Sequence, residues 1–330
     1  MKATLFKKAV DPFIYLFWRT QIKVLRACPP LCCVVSKFSL AAANSPAVWT
    51  KTLLRMGARA PGAVFTHWRN KREKRVVLSR ISLVVTTRCT LRCDKCLGHI
   101  PDLKSPRDIP LSGLLEDLQA LFACIDYVYA IIISGGETFL YPDLDQVIRA
   151  CAASGKAGDI SVATNGTVIP DAKTLAALRE ADVTVKISRY DQALQPDAEK
   201  LKQILKENGI RCTHESGTSW RAMGGLGQLQ AGSVKRRFSV CVQQLCMPYM
   251  NGKLYLCGES AVLFDEGLLV DCEADFIDVR AARPAGFAGQ LEKLLKRRAV
   301  SACSYCLGNT YQTPKIPVAE QRGARDTQAK

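Results

Sequence analysis

The sequence predicts an α/β fold, a parallel-stranded barrel or a doubly wound sheet, followed by a small, cysteine-rich C-terminal part. Three observations lead there. Between about residues 80 and 213, β-branched runs alternate with stretches of helical periodicity, the pattern of parallel strands joined by crossover helices. The chain has 330 residues, 48% hydrophobic and 23% charged, enough apolar material for a full core. Its fifteen cysteines fall in tight clusters rather than at even spacing. In a long, core-forming chain that points to reduced thiols holding metal, and so to a cytoplasmic location, not to a disulfide framework.

The first strand is expected at Ile81–Thr86, a β-branched run typical of a buried parallel strand. A helix follows at Leu111–Cys124, then a strand at Tyr129–Ser134 and a helix at Leu144–Ala152 ended by Ser154 and Gly155. Asp159–Thr164, Val183–Ser188 and Ile210–Thr213 are the third to fifth strands. Ala172–Ala181 and Ala198–Asn208 are the helices between them, with Gly209 as a C-terminal cap. In barrels and doubly wound sheets the chemistry sits at the C-terminal ends of the strands. The domain limits that follow are a basic helical extension at 1–77, the barrel at 78–235, an auxiliary domain at 236–315 and a tail at 316–330.

Charge is unevenly placed. Residues 1–75 hold fifteen Lys and Arg against two acids, Asp11 and Glu73, so thirteen of the sixteen net positive charges sit there. The apolar run Pro12–Trp18 is too short to span a bilayer, and Asp11 and Pro12 interrupt it as a signal peptide. Two readings stand: a basic segment making peripheral contact with the inner face of an anionic membrane, and a helix packed on the catalytic domain with a solvated basic face.

Cys89, Cys93 and Cys96 follow the first strand as C-x3-C-x2-C. Three thiolates at that spacing hold three irons of a [4Fe–4S] cluster and leave one coordination site open. Here the sequence resembles the radical S-adenosylmethionine (SAM) superfamily, which has this motif after the first barrel strand. The resemblance implies a SAM-binding [4Fe–4S] cluster that reductively cleaves SAM to a 5′-deoxyadenosyl radical. It also implies an electron donor such as flavodoxin or ferredoxin. Ser134-Gly135-Gly136-Glu137 matches the family's GGE motif, which contacts the methionine amino group; Thr138 stands where the family usually has Pro. Asn165, in Ala163–Thr167, is similar to a family position near SAM. Ser188 is similar to a ribose or carboxylate contact, with Arg189 as a partner for the methionine carboxylate. The likeness covers about residues 80–215, and it implies that the α/β fold is a partial (β/α)6 TIM-like barrel.

Further on, Cys241, Gly252 and Cys257 with Cys303-Ser304-Tyr305-Cys306 resemble the SPASM auxiliary-cluster extension, or its shorter Twitch form. There are enough cysteines for one auxiliary [4Fe–4S] cluster. The fourth ligand is open between Cys241, favoured by family spacing, and Cys246, which lies opposite Cys257 when pairs are counted outward from the Asn251-Gly252 turn. Cys272 is a further candidate, and a structural zinc site held by four cysteine thiolates is the competing reading. Cys28, Cys32, Cys33, Cys124, Cys151 and Cys212 read as buried or incidental thiols. His99 follows the cluster loop. His214, Glu215, Trp220 and Arg221, before a Gly-rich stretch, are the substrate-contact candidates.

The functional expectation is an oxidoreductase-type radical SAM enzyme that abstracts hydrogen from a small-molecule, carbohydrate-like substrate. A peptide-modifying maturase is the alternative within the class; residues 1–75 lack the βββ-and-helix pattern of a peptide-recognition domain. A zinc-ribbon nucleic-acid binder is the alternative outside it. Such a binder concentrates Lys and Arg around its cysteine modules, and residues 236–310 are not especially basic, so no nucleic-acid partner is expected.

Overall fold

The computed structural model describes residues 2–32, 61–215, 219–229, 232–270 and 272–323. Cys33 with the rest of 33–60, the side chains before Tyr15, that of Glu215 and residues 324–330 lie outside it.

Eight strands form one sheet: β2 (Ile81–Thr86), β4 (Ile131–Gly135), β5 (Ile160–Thr164), β6 (Thr184–Ser188), β7 (Cys212–Glu215), β9 (Met247–Met250), β10 (Lys253–Tyr255) and β11 (Phe276–Asp278). Their order is β11-β10-β9-β2-β4-β5-β6-β7. The five strands from β2 to β7 run parallel, with β2 aligned so that Ile81 faces Ile131. Short β1 (Val77–Leu78) pairs with β3 (Tyr127–Val128) below them. One face of the parallel strands is apolar and fully buried; the other, which carries Ser82, Ser134 and Lys186, is only half-buried. Ile81, Leu83, Val85, Ile131, Ile133, Val162, Val185 and Ile187 are all buried, each contributing roughly 1.5–3 kcal/mol by leaving water.

A sixth parallel strand is present, but not as the next βα unit. It is β9, from the cysteine-rich C-terminal part, which adds to the outer edge of β2 with Leu83 opposite Tyr249. The Asn251-Gly252 turn then reverses the chain, both residues having positive φ (49° and 72°), as a two-residue hairpin of the right twist requires. β10 and β11 continue the sheet antiparallel. The C-terminal part is thus built onto the barrel sheet rather than hung from a linker. Tyr249, fully buried, donates its hydroxyl to the Asp117 carbonyl at 2.6 Å, while Arg280 pairs bidentately with the buried Asp117 carboxylate. These contacts hold the hairpin to helix Leu111–Cys124.

The helices fall at Leu111–Cys124, Leu144–Ala153, Ala172–Glu180 and Ala198–Glu207, within one residue of the periodicity. The fifth strand lies two residues later than Ile210–Thr213. Gly209 N–H donates to the Lys206 carbonyl and Ile210 N–H to that of Leu205, a Schellman cap whose apolar closing residue is Ile210. Ile210 is buried as part of the helix end, and pairing starts at Cys212.

The N-terminal helix Lys2–Ala27 runs through Pro12. Tyr15, Trp18, Ile22 and Arg26 recur every three or four residues and form its packed face. Tyr15 hydrogen-bonds Ser239, Trp18 stacks on Tyr311, and Arg26 donates to the Gln244 side chain and the Leu295 carbonyl. Burial lowers the Arg26 pKa to about 10. Among the described residues no helix is long and apolar enough to cross a membrane.

Candidate active site and thiol cavity

The loop carrying Cys89, Cys93 and Cys96 leaves the C-terminal end of β2, where a parallel sheet presents its chemistry. Gly135 and Gly136 lie against its first residues. A Cβ on Gly135 would stand 2.1 Å from the Thr86 carbonyl oxygen, and one on Gly136 would stand 2.2 Å from that of Arg88. The amides of Gly136 and Glu137 donate to those same carbonyls at 3.0 and 2.8 Å. The glycine pair is therefore required by contact between two stretches of backbone.

Glu137 is fully buried and its carboxylate turns toward β5. It accepts from the Phe139 amide (2.9 Å), the Thr164 hydroxyl (2.7 Å) and the Asn165 amide (2.7 Å). Burial raises its pKa, and these three donors oppose the shift. In this geometry the carboxylate ties two strand ends together. Asn165 in turn places its Nδ2 3.5 Å from the Cys89 sulfur and 3.0 Å from the Thr90 hydroxyl.

Ser188 ends β6 and Arg189 is exposed. His214 is exposed too; partial desolvation, then Lys202 and Arg189, lower its pKa. Tyr190 follows Arg189, half-buried, with its amide held by the Gln195 side chain. Burial raises its pKa first, and the charges of Cys93, Cys96 and Cys89 add to this. Its ring meets Trp220 edge-on at 6.0 Å. Trp220 and Arg221 form β8, paired with β12 (Lys315–Ile316), so the segment after β7 is fixed by a two-stranded ribbon.

Three positioning residues have no motif. Gln195 is buried; its side-chain amide donates to the carbonyls of Asn165 and Ser188 (2.7 Å to Ser188) and accepts from the Tyr190 amide at 2.9 Å. It clamps the ends of β5 and β6. Gln321 donates to the Cys93 sulfur at 3.1 Å and accepts from the Arg92 amide at 2.9 Å, while Arg322 grips Asp102 at 2.7 and 2.8 Å. The segment expected as a tail is a strap across the cysteine loop. His99, in left-handed conformation (φ 50°), places Nε2 3.0 Å from both Glu259 oxygens, and both residues are buried.

The second cysteine group comes from three separated segments. Cys241, Cys257, Cys303 and Cys306 line one cavity of about 30 Å³ with Glu259 and Leu97. Asn309 N–H donates to the Cys241 sulfur (3.3 Å) and Gly308 N–H to that of Cys306 (3.2 Å); Cys257 meets the Ser260 hydroxyl at 3.3 Å. Burial raises the thiol pKa values to about 11 for Cys241 and Cys303 and about 12 for Cys257, with Cys306 higher still. Cys246 is elsewhere. Its charged neighbours are Arg80, just before β2, and Lys186, midway along β6, because β10 ends at Tyr255 and the chain turns away before Cys257 could reach the position opposite. Cys272 is buried near Tyr255. Among the described residues no two cysteines are joined by a disulfide.

The donor sets fit iron–sulfur clusters. Four sulfurs in one cavity and three in one loop are soft, anionic ligands when deprotonated, each group carrying N–H donors to sulfur. Among the described residues no three such side chains converge as closely as a single bound ion would require; a multi-iron cluster spaces its ligands more widely.

Residues 83–215 match the family model described as Radical SAM superfamily. This segment is a radical SAM domain. Its relatives include GTP 3',8-cyclase from Helicobacter pylori, 32% identical over 138 residues, which cover 39% of this chain and 42% of the relative. GTP 3',8-cyclase from Aquifex aeolicus is 32% identical over 130 residues, 39% of each chain. The chain therefore spans about 40% of the length of the curated relatives it matches. Among solved structures, BtrN in complex with AdoMet and 2-DOIA is similar over 66% of this chain and 86% of its own (14% identity, TM-score 0.44). Streptococcus suis SuiB bound to precursor peptide SuiA is similar over 49% and 37% (20% identity, TM-score 0.35). The radical SAM domain runs from within β2 to the end of β7 and contains the loop cysteines, the GGE segment and Asn165.

Proposed function

We propose that this protein reductively cleaves SAM at a [4Fe–4S] cluster on Cys89, Cys93 and Cys96 and uses the radical to abstract hydrogen from a small molecule. A second cluster would sit on Cys241, Cys257, Cys303 and Cys306. The observation that carries the reading is the convergence, at the C-terminal ends of β2, β4, β5 and β6, of the three-cysteine loop, the Gly135-Gly136 contact, Asn165 and Tyr190. A bound cluster supplies the electron that splits SAM into methionine and the 5′-deoxyadenosyl radical. The chain's own residues position and shield. Asn165 and Gln321 hold loop sulfurs from two sides, and Glu137 and Gln195 fix the strand ends beneath. Tyr190 and Trp220, packed edge-on at 6.0 Å just past the end of β6, are the aromatic side chains that would suit an adenine or a sugar ring.

A small molecule is preferred here to a peptide: the segment after β7 is tied into the ribbon of β8 with β12, and the strap at 319–322 lies on the cysteine loop. The four-thiol cavity touches Leu97, next to Cys96 in sequence, and an auxiliary cluster there would be the acceptor of an electron from a substrate radical. An outside reductant of the flavodoxin or ferredoxin type would deliver the first electron. The test is 5′-deoxyadenosine release from SAM by anaerobically reconstituted protein under dithionite. Release by the wild type and its loss in Cys93→Ala are expected; no release from a folded, iron-loaded wild type would overturn the proposal.

A further inference from the structure

We propose that the N-terminal helix and the helix over residues 61–72 together form a docking face for an anionic phospholipid bilayer. Six bulky apolar side chains are left in water there: Leu16, Phe17, Val24, Val64, Phe65 and Trp68, with Phe17, Phe65 and Trp68 58%, 61% and 54% exposed. On each helix they lie on the side away from the packed residues. At 100° per residue Leu16, Phe17 and Val24 share an arc facing away from Tyr15, Trp18 and Ile22. Val64, Phe65 and Trp68 face away from Ala63, Thr66 and Asn70. Phe65 and Trp68 rest against each other (6.0 Å), and Arg72 lies over the Trp68 ring at 5.5 Å.

Between the helices opens a cavity of about 970 Å³, lined by Arg19, Lys23, Lys71, Arg75, Lys235 and Arg298 among others. Glu292 is the one acid in its lining among the described residues. The cavity lies on the packed side of both helices, where Tyr15, Ile22 and Asn70 also line it. Its Lys23 and Lys71, however, fall next to Leu16 and Val64 at 100° per residue, and Arg72 covers Trp68. Exposed apolar side chains flanked by cations are what an anionic membrane surface complements: phosphates take the charges, and the acyl boundary takes Phe, Trp and Leu. A nucleic acid would satisfy the cations, and its bases would stack on the aromatic rings. It would gain nothing from Leu16, Val24 and Val64, which have no aromatic face. The bilayer uses all six.

The test is co-sedimentation of the full chain with vesicles of phosphatidylcholine alone and of phosphatidylcholine mixed with phosphatidylglycerol. Binding to the mixed vesicles, weakened by salt, is expected, with partitioning about tenfold or more lower in Phe65→Glu/Trp68→Glu. Brominated acyl chains should quench tryptophan fluorescence of the wild type, and Trp68→Phe should remove much of that quenching, a reading that does not depend on the double variant folding. Failure to bind mixed vesicles, binding unchanged by the double variant and by salt, or capture of an RNA oligonucleotide in place of vesicles would each overturn the proposal. None of these outcomes bears on SAM cleavage, which is measured separately.

Discussion

The two cysteine groups are organised in opposite ways. The first is local: three thiols within eight residues, on a loop held by neighbouring backbone at Gly135 and Gly136 and by single side chains reaching in from Asn165 and Gln321. The second is non-local: four thiols from three segments, brought together only once β9 has joined β2 and the helix Gly258–Asp265 has turned Cys257 inward. A local group is written in spacing. A non-local one depends on packing, and its membership follows from where strands stop. The two are connected through the buried His99–Glu259 pair, one residue from each side.

The largest expected effect sharpens the membership of the second group. Cys257→Ser should remove about half of the bound iron after reconstitution, whereas Cys246→Ser should leave it unchanged; equal loss in both would break the assignment. Next is the frame beneath the first group. Glu137→Ala strips three donors of their acceptor inside the protein and should lower stability by about 3 kcal/mol, read by urea unfolding. A cost close to zero would mean the carboxylate does not tie β4 to β5.

The link between the groups comes third. His99→Ala leaves Glu259 buried without that partner and should cost about 2 kcal/mol. It should also speed iodoacetamide labelling at Cys96 and Cys257 together in the metal-free protein, where separate groups would respond separately. The smallest effect belongs to the strap: Gln321→Ala should cost about 1 kcal/mol and accelerate labelling of Cys93 about threefold, with the four-thiol cavity unaffected.

How much of this the sequence carried follows the same division. The strands β2, β4, β5 and β6 and the four core helices were legible because each is a run of one period, and the loop cysteines were legible from spacing. Ile210 misled because an apolar residue after a helix-capping glycine reads equally as a strand start or as the closing contact of the cap. Glu137 reads as a carboxylate free to meet a ligand, yet its direction is set by donors on β5, 27 and 28 residues away. Gln195 and Gln321 carry no pattern; their roles come from distances to carbonyls and a sulfur that only the folded chain brings near. Cys246 and Cys241 could not be separated by counting outward from the hairpin turn, since the count assumes that pairing continues past Tyr255.

The most direct measurement is iron, sulfide and zinc content after anaerobic reconstitution, for the wild type and for a Cys89→Ala/Cys93→Ala/Cys96→Ala variant. Two four-iron sites predict roughly eight irons and eight sulfides per wild-type chain, and roughly four of each in the variant. About four irons with zinc in the wild type, and none in the variant, would contradict the account by making the four-thiol cavity a zinc site.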